Sequence, residues 1–187
     1  FTKLCSASEI NVYEVISAAS SKPYGFMPFK PGVGVGGHCI PVDPLYVTWW
    51  AREKGVIPML IDSADQVNQA MPTYVAKRAL ELVTRKSENP KVLIVGVAYK
   101  PGVADVRETP VLELRMQLEK CGAIVKWHDP LVATWEDEFS TRLDWDCDVA
   151  ILATMQPGVD IQPLISNGIK ILDCTDTFPK MADIFTL

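Results

Sequence analysis

The sequence has no CxxC pair. Its five cysteines, Cys5, Cys39, Cys121, Cys147 and Cys174, are odd in number and widely spaced. That pattern argues against a disulfide framework or a zinc site and fits a cytoplasmic chain. Four of them sit among apolar residues, where a small buried side chain is expected; Cys39 does not. A run of basic residues is also missing. The 18 lysines and arginines are interspersed with 23 acids, for a net charge of −5, so the clustered positive footprint that nucleic acid requires is absent. No apolar stretch approaches the ~20 residues that cross a bilayer, and no signal-peptide pattern opens the chain. Neither nucleic acid nor a membrane is an expected partner, and no metal is expected. No strand leads into GxGxxG, the glycine fingerprint of a bound dinucleotide. What is abundant is ordinary: 48% hydrophobic and 22% charged residues describe a globular protein.

The 187 residues suffice for two small domains. Phe1, Leu4, Cys5, Ala7 and Ile10 recur at helical spacing. A helix that opens with neither Met nor a cap is expected to continue a longer protein. A second helix is expected over 12–19. Residues 22–44 then gather five prolines and five glycines around Tyr24, Phe26, Met27 and Phe29. So aromatic a loop is expected to line something rather than stand in solvent. With Asp43 as N-cap and Pro44 at the first helical position, a helix runs through Trp49 and Trp50, which read as core, and stops at Gly55. A long helix over 62–86 carries the apolar face Val67, Ala70, Met71, Tyr74, Val75, Ala79, Leu82 and Val83. Pro72 should kink it or divide it in two. Such an exposed amphipathic helix is expected to join subunits into a homodimer.

The polar turn at 87–90 marks a boundary between a helical domain, 1–88, and a second domain, 89–187. Beyond it the period changes. KVLIVGVA (91–98) is a β-branched run that suits a strand buried on both faces of a parallel sheet. Further strands are expected at 124–127, 148–154 and 169–174, with helices at 110–120 and 161–166 and a short helix after Phe178. The fold class expected is α/β, a helical region followed by a Rossmann-like parallel-sheet domain.

Residues 31–44 read PGVGVGGHCIPVDP. They place one thiol in a glycine-lined loop with a carboxylate four residues later, at a helix start. Gly34, Gly36 and Gly37 leave room for a ligand to approach the backbone, and their amides suit an anion or a developing oxyanion. The residue types alone leave alternatives open. Cys39 is a nucleophile or an inert small hydrophobe, His38 a base or a hydrogen-bonded structural residue, Asp43 a catalytic group or a helix cap.

GVGGHCIPVDP resembles the active-site motif of the UDP-glucose/GDP-mannose dehydrogenase family, GG-x-C-x-P-x-D, with Gly36, Gly37, Cys39, Pro41 and Asp43 at its fixed positions. SKPYGFMPFKPG (21–32) is similar to the family's substrate loop. VGVAYKPGVADVRETP (95–110) resembles its second signature, with Lys100 and Arg107 at the basic positions, and WHDP (127–130) matches the strand end that follows. His38 and the IPVDP after it resemble the branch acting on UDP-N-acetylhexosamines, UDP-N-acetylmannosamine or UDP-N-acetylglucosamine. The resemblance implies NAD-dependent oxidation of a C6 alcohol to a carboxylate. Cys39 would form a thiohemiacetal and then a thioester, and Asp43 would position the water that hydrolyses it. Phe26, Phe29, Gly34, Gly36, Gly37, His38, Lys100 and Arg107 would line the UDP-sugar. Residues 89–187 would bind UDP and the helical region would dimerise. NAD would be held mainly by a Rossmann domain upstream of Phe1, where the family's catalytic Lys and Asn also lie, so the chain alone is expected to be inactive. One departure stands out: TMQPG at 154–158 replaces the polar stretch usual after that strand. The alternatives are a UDP-sugar-binding and dimerisation module without catalysis, or a member specific for UDP-glucose or GDP-mannose.

Overall fold

Short helices separated by proline and glycine build the N-terminal half in a computed structural model that describes residues 1–84, 88–179 and 181–187. α1 (Thr2–Ala7) and α2 (Val12–Ser20) pack through Cys5, Val12 and Tyr13. Asn11 caps α2, its Oδ1 accepting from the Tyr13 N–H at 2.9 Å. α3 (Asp43–Glu53) and α4 (Met59–Gln69) lean on each other, and α5 (Met71–Glu81) follows at once. The helix expected over 62–86 is therefore two helices meeting at Ala70. Pro72 sits in the first turn of α5, where its missing N–H leaves no helical bond unmade. Lys86, the expected helix end, and Ser87, the start of the expected boundary turn, lie outside the described residues.

Asp43 is the first residue of α3 rather than its cap; Val42 holds the cap position and makes no side-chain bond. Trp49 and Trp50 are not core, being 63% and 59% exposed. Only Thr48 of α3 is buried, and no residue of α4 is. Neither helix rests on the sheet, so their apolar side chains find no core to enter.

β1 (Lys91–Val95), α6 (Pro110–Lys120), β2 (Ile124–His128), the short β3 (Thr134–Trp135) and β4 (Glu138–Phe139), β5 (Val149–Leu152), α7 (Gln162–Ser166), β6 (Lys170–Asp173) and β7 (Ile184–Thr186) complete the chain. Five of these strands form one all-parallel sheet in the order β2-β1-β5-β6-β7, a doubly wound arrangement whose order reverses between β1 and β5. Alternate residues face opposite layers. Val92, Ile94, Val149 and Ile151 pack with Leu114 and Leu118 of α6 and with Met71, Val75, Ala76 and Ala79 of α5. Leu93, Val95, Ala150 and Leu152 pack with Leu164 of α7. α5 thus belongs to the core of the α/β layer although it precedes it in sequence.

Two elements differ from expectation. The segment after Phe178 ends in β7, not a helix: Ile184 enters the core and the strand completes the free edge of β6. β3 and β4 form a hairpin whose turn residues, Glu136 and Asp137, take φ of 50° and 58°. Neither is glycine, so the usual hairpin signal is missing.

Candidate active site

Two loops that the sequence places far apart meet at the sheet's ligand edge. The first runs from Lys30 to the start of α3. Lys30 Nζ pairs with Asp176 Oδ2 at 3.0 Å, and the Tyr13 hydroxyl donates to the Pro31 carbonyl at 3.4 Å. The Val35 N–H donates to Asn68 Oδ1 of α4 at 2.8 Å. The turn at Cys39 closes on itself, the Cys39 carbonyl accepting the N–H groups of Val42 and Asp43 at 3.1 and 2.8 Å. Cys39 is exposed, with Sγ 4.0 Å from His38 Nδ1. Cys5, Cys147 and Cys174 are buried. Burial pushes the Cys147 thiol up to about 12 and the Cys174 thiol still higher, which keeps both protonated and inert. Cys121, expected inside, is exposed at the end of α6. Asp43 is exposed beside the turn.

The second loop, 96–109, joins β1 to α6 and is anchored from below by residues whose bracing role the sequence does not announce. Asp129, buried at the end of β2, accepts on Oδ2 from the N–H groups of Val97 and Ala98 at 3.0 and 3.3 Å. Gln156 is also buried. It accepts from the Gly102 N–H at 2.7 Å and donates to the Val103 carbonyl at 3.0 Å and to Asp129 Oδ2 at 3.3 Å. Thr154 Oγ1 donates to the Ala98 carbonyl at 2.8 Å. The TMQPG stretch that departs from the family pattern therefore braces this loop from inside. On its outer side Arg107 grips Asp105 through Nε and Nη2, the latter at 2.6 Å. That ion pair holds the Asp105 carboxyl down at about 2. Lys100 is exposed, its Nζ 5.3 Å from the Tyr99 ring centroid.

The glycines of the thiol loop are the contact between the two. A Cβ on Gly34 would stand 2.9 Å from Pro110 Cβ, one on Gly36 2.7 Å from the Glu108 carbonyl, and one on Gly37 2.9 Å from Tyr99 Cε2. Their bareness makes room for the protein's own second loop. A cleft of about 490 Å³ opens along the seam, between Val35, Pro41 and Asn68 on one side and Arg107, Glu108 and Pro110 on the other. The structure thus brings Gly34, Gly36 and Gly37 up against the loop of Lys100 and Arg107, with His38 and Cys39 following in the turn, both exposed. Phe26 and Phe29 are not part of this seam. Every residue from 21 to 30 is exposed, and Phe26 and Phe29 stand 42% and 75% open to solvent. Among the described residues no element covers this loop, which stands open to solvent.

A dinucleotide does not fit this sheet edge. Such a cofactor needs a glycine turn leading straight into a helix N-terminus with free backbone amides. Here the long loop 96–109 separates β1 from α6, and the amides of Val97 and Ala98 are already taken by Asp129. Gly96, at φ 86°, gives its space to the Thr154 carbonyl, into which a Cβ would run.

Fold and site together define a two-part protein, in which a helical segment with an exposed thiol packs its glycine turn against the β1–α6 loop of a doubly wound sheet. Residues 1–70 match the central domain, and residues 93–177 the UDP binding domain, of the UDP-glucose/GDP-mannose dehydrogenase family, and the chain belongs to that family. It is 37% identical over 142 residues to a UDP-N-acetyl-D-mannosamine dehydrogenase of Methanococcus maripaludis, covering 75% of this chain and 32% of that protein. It is 34% identical over 139 residues to a UDP-N-acetyl-D-glucosamine 6-dehydrogenase of Salmonella typhi, covering 73% of this chain and 31% of that protein. A solved UDP-D-ManNAc dehydrogenase from Pyrococcus horikoshii superposes with a TM-score of 0.80 at 27% identity, over 98% of this chain and 45% of that one. The chain spans about a third of the length of these curated relatives. Membership of the family implies use of NAD.

Proposed function

We propose that this chain is the thiol-bearing and UDP-binding part of a UDP-N-acetylhexosamine 6-dehydrogenase. The reading rests above all on the seam itself: the glycine turn that carries the exposed Cys39 packs against the loop of Lys100 and Arg107. In this reading Lys100 and Arg107 meet the diphosphate, while His38 and the exposed aromatic loop of Phe26 and Phe29 face the sugar. Cys39 Sγ adds to the C6 aldehyde carbon, and the carbonyl oxygen takes up a proton to give a thiohemiacetal. Sulfur suits the step because thiolate is a strong nucleophile near neutral pH and a good leaving group when the later thioester is hydrolysed. The Asp43 carboxylate, close in sequence and exposed, orients the water for that hydrolysis.

NAD is assigned to a domain outside these residues, and the isolated chain is proposed to be inactive in oxidation. The division of labour is 1–88 for the thiol and subunit contact and 89–187 for the nucleotide. Five unpaired cysteines fit a reducing cytoplasm. Whether N-acetylmannosamine or N-acetylglucosamine is carried is left to substrate assays, since relatives of both names are similar to this chain.

The ligand assignment is tested by thermal unfolding. UDP at about 100 times its dissociation constant should stabilise the chain by about 2.7 kcal/mol, a rise in Tm of about 5–10 °C. Lys100→Ala and Arg107→Ala should shrink the rise and Asp43→Ala should leave it nearly intact. A larger rise with NAD than with UDP would overturn the assignment.

A further inference from the structure

Gly37 is buried although His38 and Cys39 beside it are exposed. What covers it is one edge of the Tyr99 ring: a Cβ there would lie 2.9 Å from Cε2, 3.0 Å from Cδ2 and 3.4 Å from Cζ. Gly37 also holds φ at 92°, so it is the residue through which the chain bends under the ring and rises again to the thiol. Among the described residues no hydrogen bond ties the turn 36–39 to the α/β layer, so its seat there is steric. The ring is itself held in place. The Tyr99 N–H donates to the Asp105 carbonyl at 3.0 Å, and the Asp105 side chain is gripped by Arg107. The Lys100 ammonium rests 5.3 Å from the same ring's centroid.

We propose that Tyr99 is a positioning residue for Cys39: its ring seats the glycine turn on the loop of Lys100 and Arg107 and so fixes where the thiol stands relative to them. The proposal rests on the reading of Cys39 as the nucleophile. It adds that thiol and nucleotide loop share one side chain, so that a movement of either loop displaces the ring and is felt by the other. A hydroxyl is not needed for this, since the ring edge makes the contact; bulk and flatness are. Removing the ring leaves Gly36 against the Glu108 carbonyl and Pro110 but frees the residues that carry the sulfur.

The test uses the folded chain and its own thiols as references. Cys39 and Cys121 are exposed and Cys5, Cys147 and Cys174 buried. The ratio of Cys39 to Cys121 labelling by limiting iodoacetamide, read by peptide mass mapping, reports the turn, and labelling of the buried three reports unfolding. Tyr99→Phe should leave the ratio within about twofold of wild type, while Tyr99→Ala should lower it about threefold or more, the scale of a coupling carried by one packed contact. Gly37→Ala, which drives a methyl into the ring, should lower it too. Added to Tyr99→Ala it should lower the ratio by less than it does alone, because the ring has gone and only the strain of a side chain at φ 92° remains. A wild-type ratio in Tyr99→Ala, or fully additive effects of the two substitutions, would overturn the seat. If Tyr99→Ala also exposes the buried thiols, Gly37→Ala alone decides, and an unchanged ratio there is fatal to the proposal. Wild-type Cys39 no faster than Cys121 would count against the nucleophile reading, a separate result from the change in ratio.

Discussion

Asp105 and Arg107 meet through both carboxylate oxygens, two residues apart on the outer side of the loop. The hydrogen bonds from Arg107 stabilise the charged carboxylate, first through the side chain and then through the backbone, and lower its pKa from 3.8 to about 2. Because the folded value is depressed, the pairing contributes fully above the ordinary value of 3.8 and is lost as pH falls through about 2. A carboxyl-detected NMR titration should find the Asp105 midpoint near 2 and, in Arg107→Ala, raised part of the way towards 3.8, since the backbone N–H at 107 still donates to the carboxylate; an unmoved midpoint would mean the pair does not form in solution. At this scale the sequence was partly readable. Cys39, Asp43, Lys100 and Arg107 stood out because a motif surrounds them. Asp129 and Gln156 did not stand out as the braces of the same loop, because their partners lie far away in the chain and no local spacing encodes which amide a buried side chain will meet.

The elements follow the sequence most closely where burial alone decides. The β-branched runs of β1, β5 and β6 became strands, each shorter than its apolar run because the run continues into the loop beyond the last ladder bond. α6 spans its expected residues, with Thr109 capping it and Pro110 in its first turn. Leu114, fully buried between α6 and the sheet, should cost about 2–5 kcal/mol when cut to Ala, as measured by urea unfolding; a loss under about 1 kcal/mol would mean that the α6 contact is loose. Three elements were not legible. β7 is three residues long and owes its form to the open edge of β6, a partner that the segment's own composition cannot announce. The β3–β4 hairpin turns through two acidic residues at positive φ, without the glycine that marks such turns. The two tryptophans of α3 have apolar composition but no neighbouring layer.

Across the whole molecule the apolar surface is unevenly placed. The faces of the sheet are covered by α5 and α6 on one side and α7 on the other, whereas Leu45, Tyr46, Trp49, Trp50, Leu60 and Val67 of α3 and α4 remain open. Met71 and Val75, expected on a subunit-facing surface, are instead in the core, so the apolar surface open to the proposed homodimer contact is that of α3 and α4 rather than of α5. Apolar patches of this extent mark protein contacts. Light scattering at micromolar concentration should give the mass of a dimer, and Trp49→Glu combined with Leu60→Glu should return it to a monomer. A monomer mass for the unaltered chain would refute the contact.

The same unevenness sets how fast different amides trade their protons with water. Strands β1 and β5 are buried on both faces and lie at the centre of the sheet, so their N–H groups can reach solvent only when the domain as a whole opens. α4 has no buried residue; its amides are released by a local opening that breaks little more than the helix itself. Deuterium should therefore enter α4 orders of magnitude sooner than the sheet, in a single chain with no intermediate class between them at α5, which exchanges with the strands it covers. If a second copy seats on α3 and α4, raising the concentration should slow exchange there and nowhere in the sheet, so the helices with the least protection of their own would be the ones to report assembly.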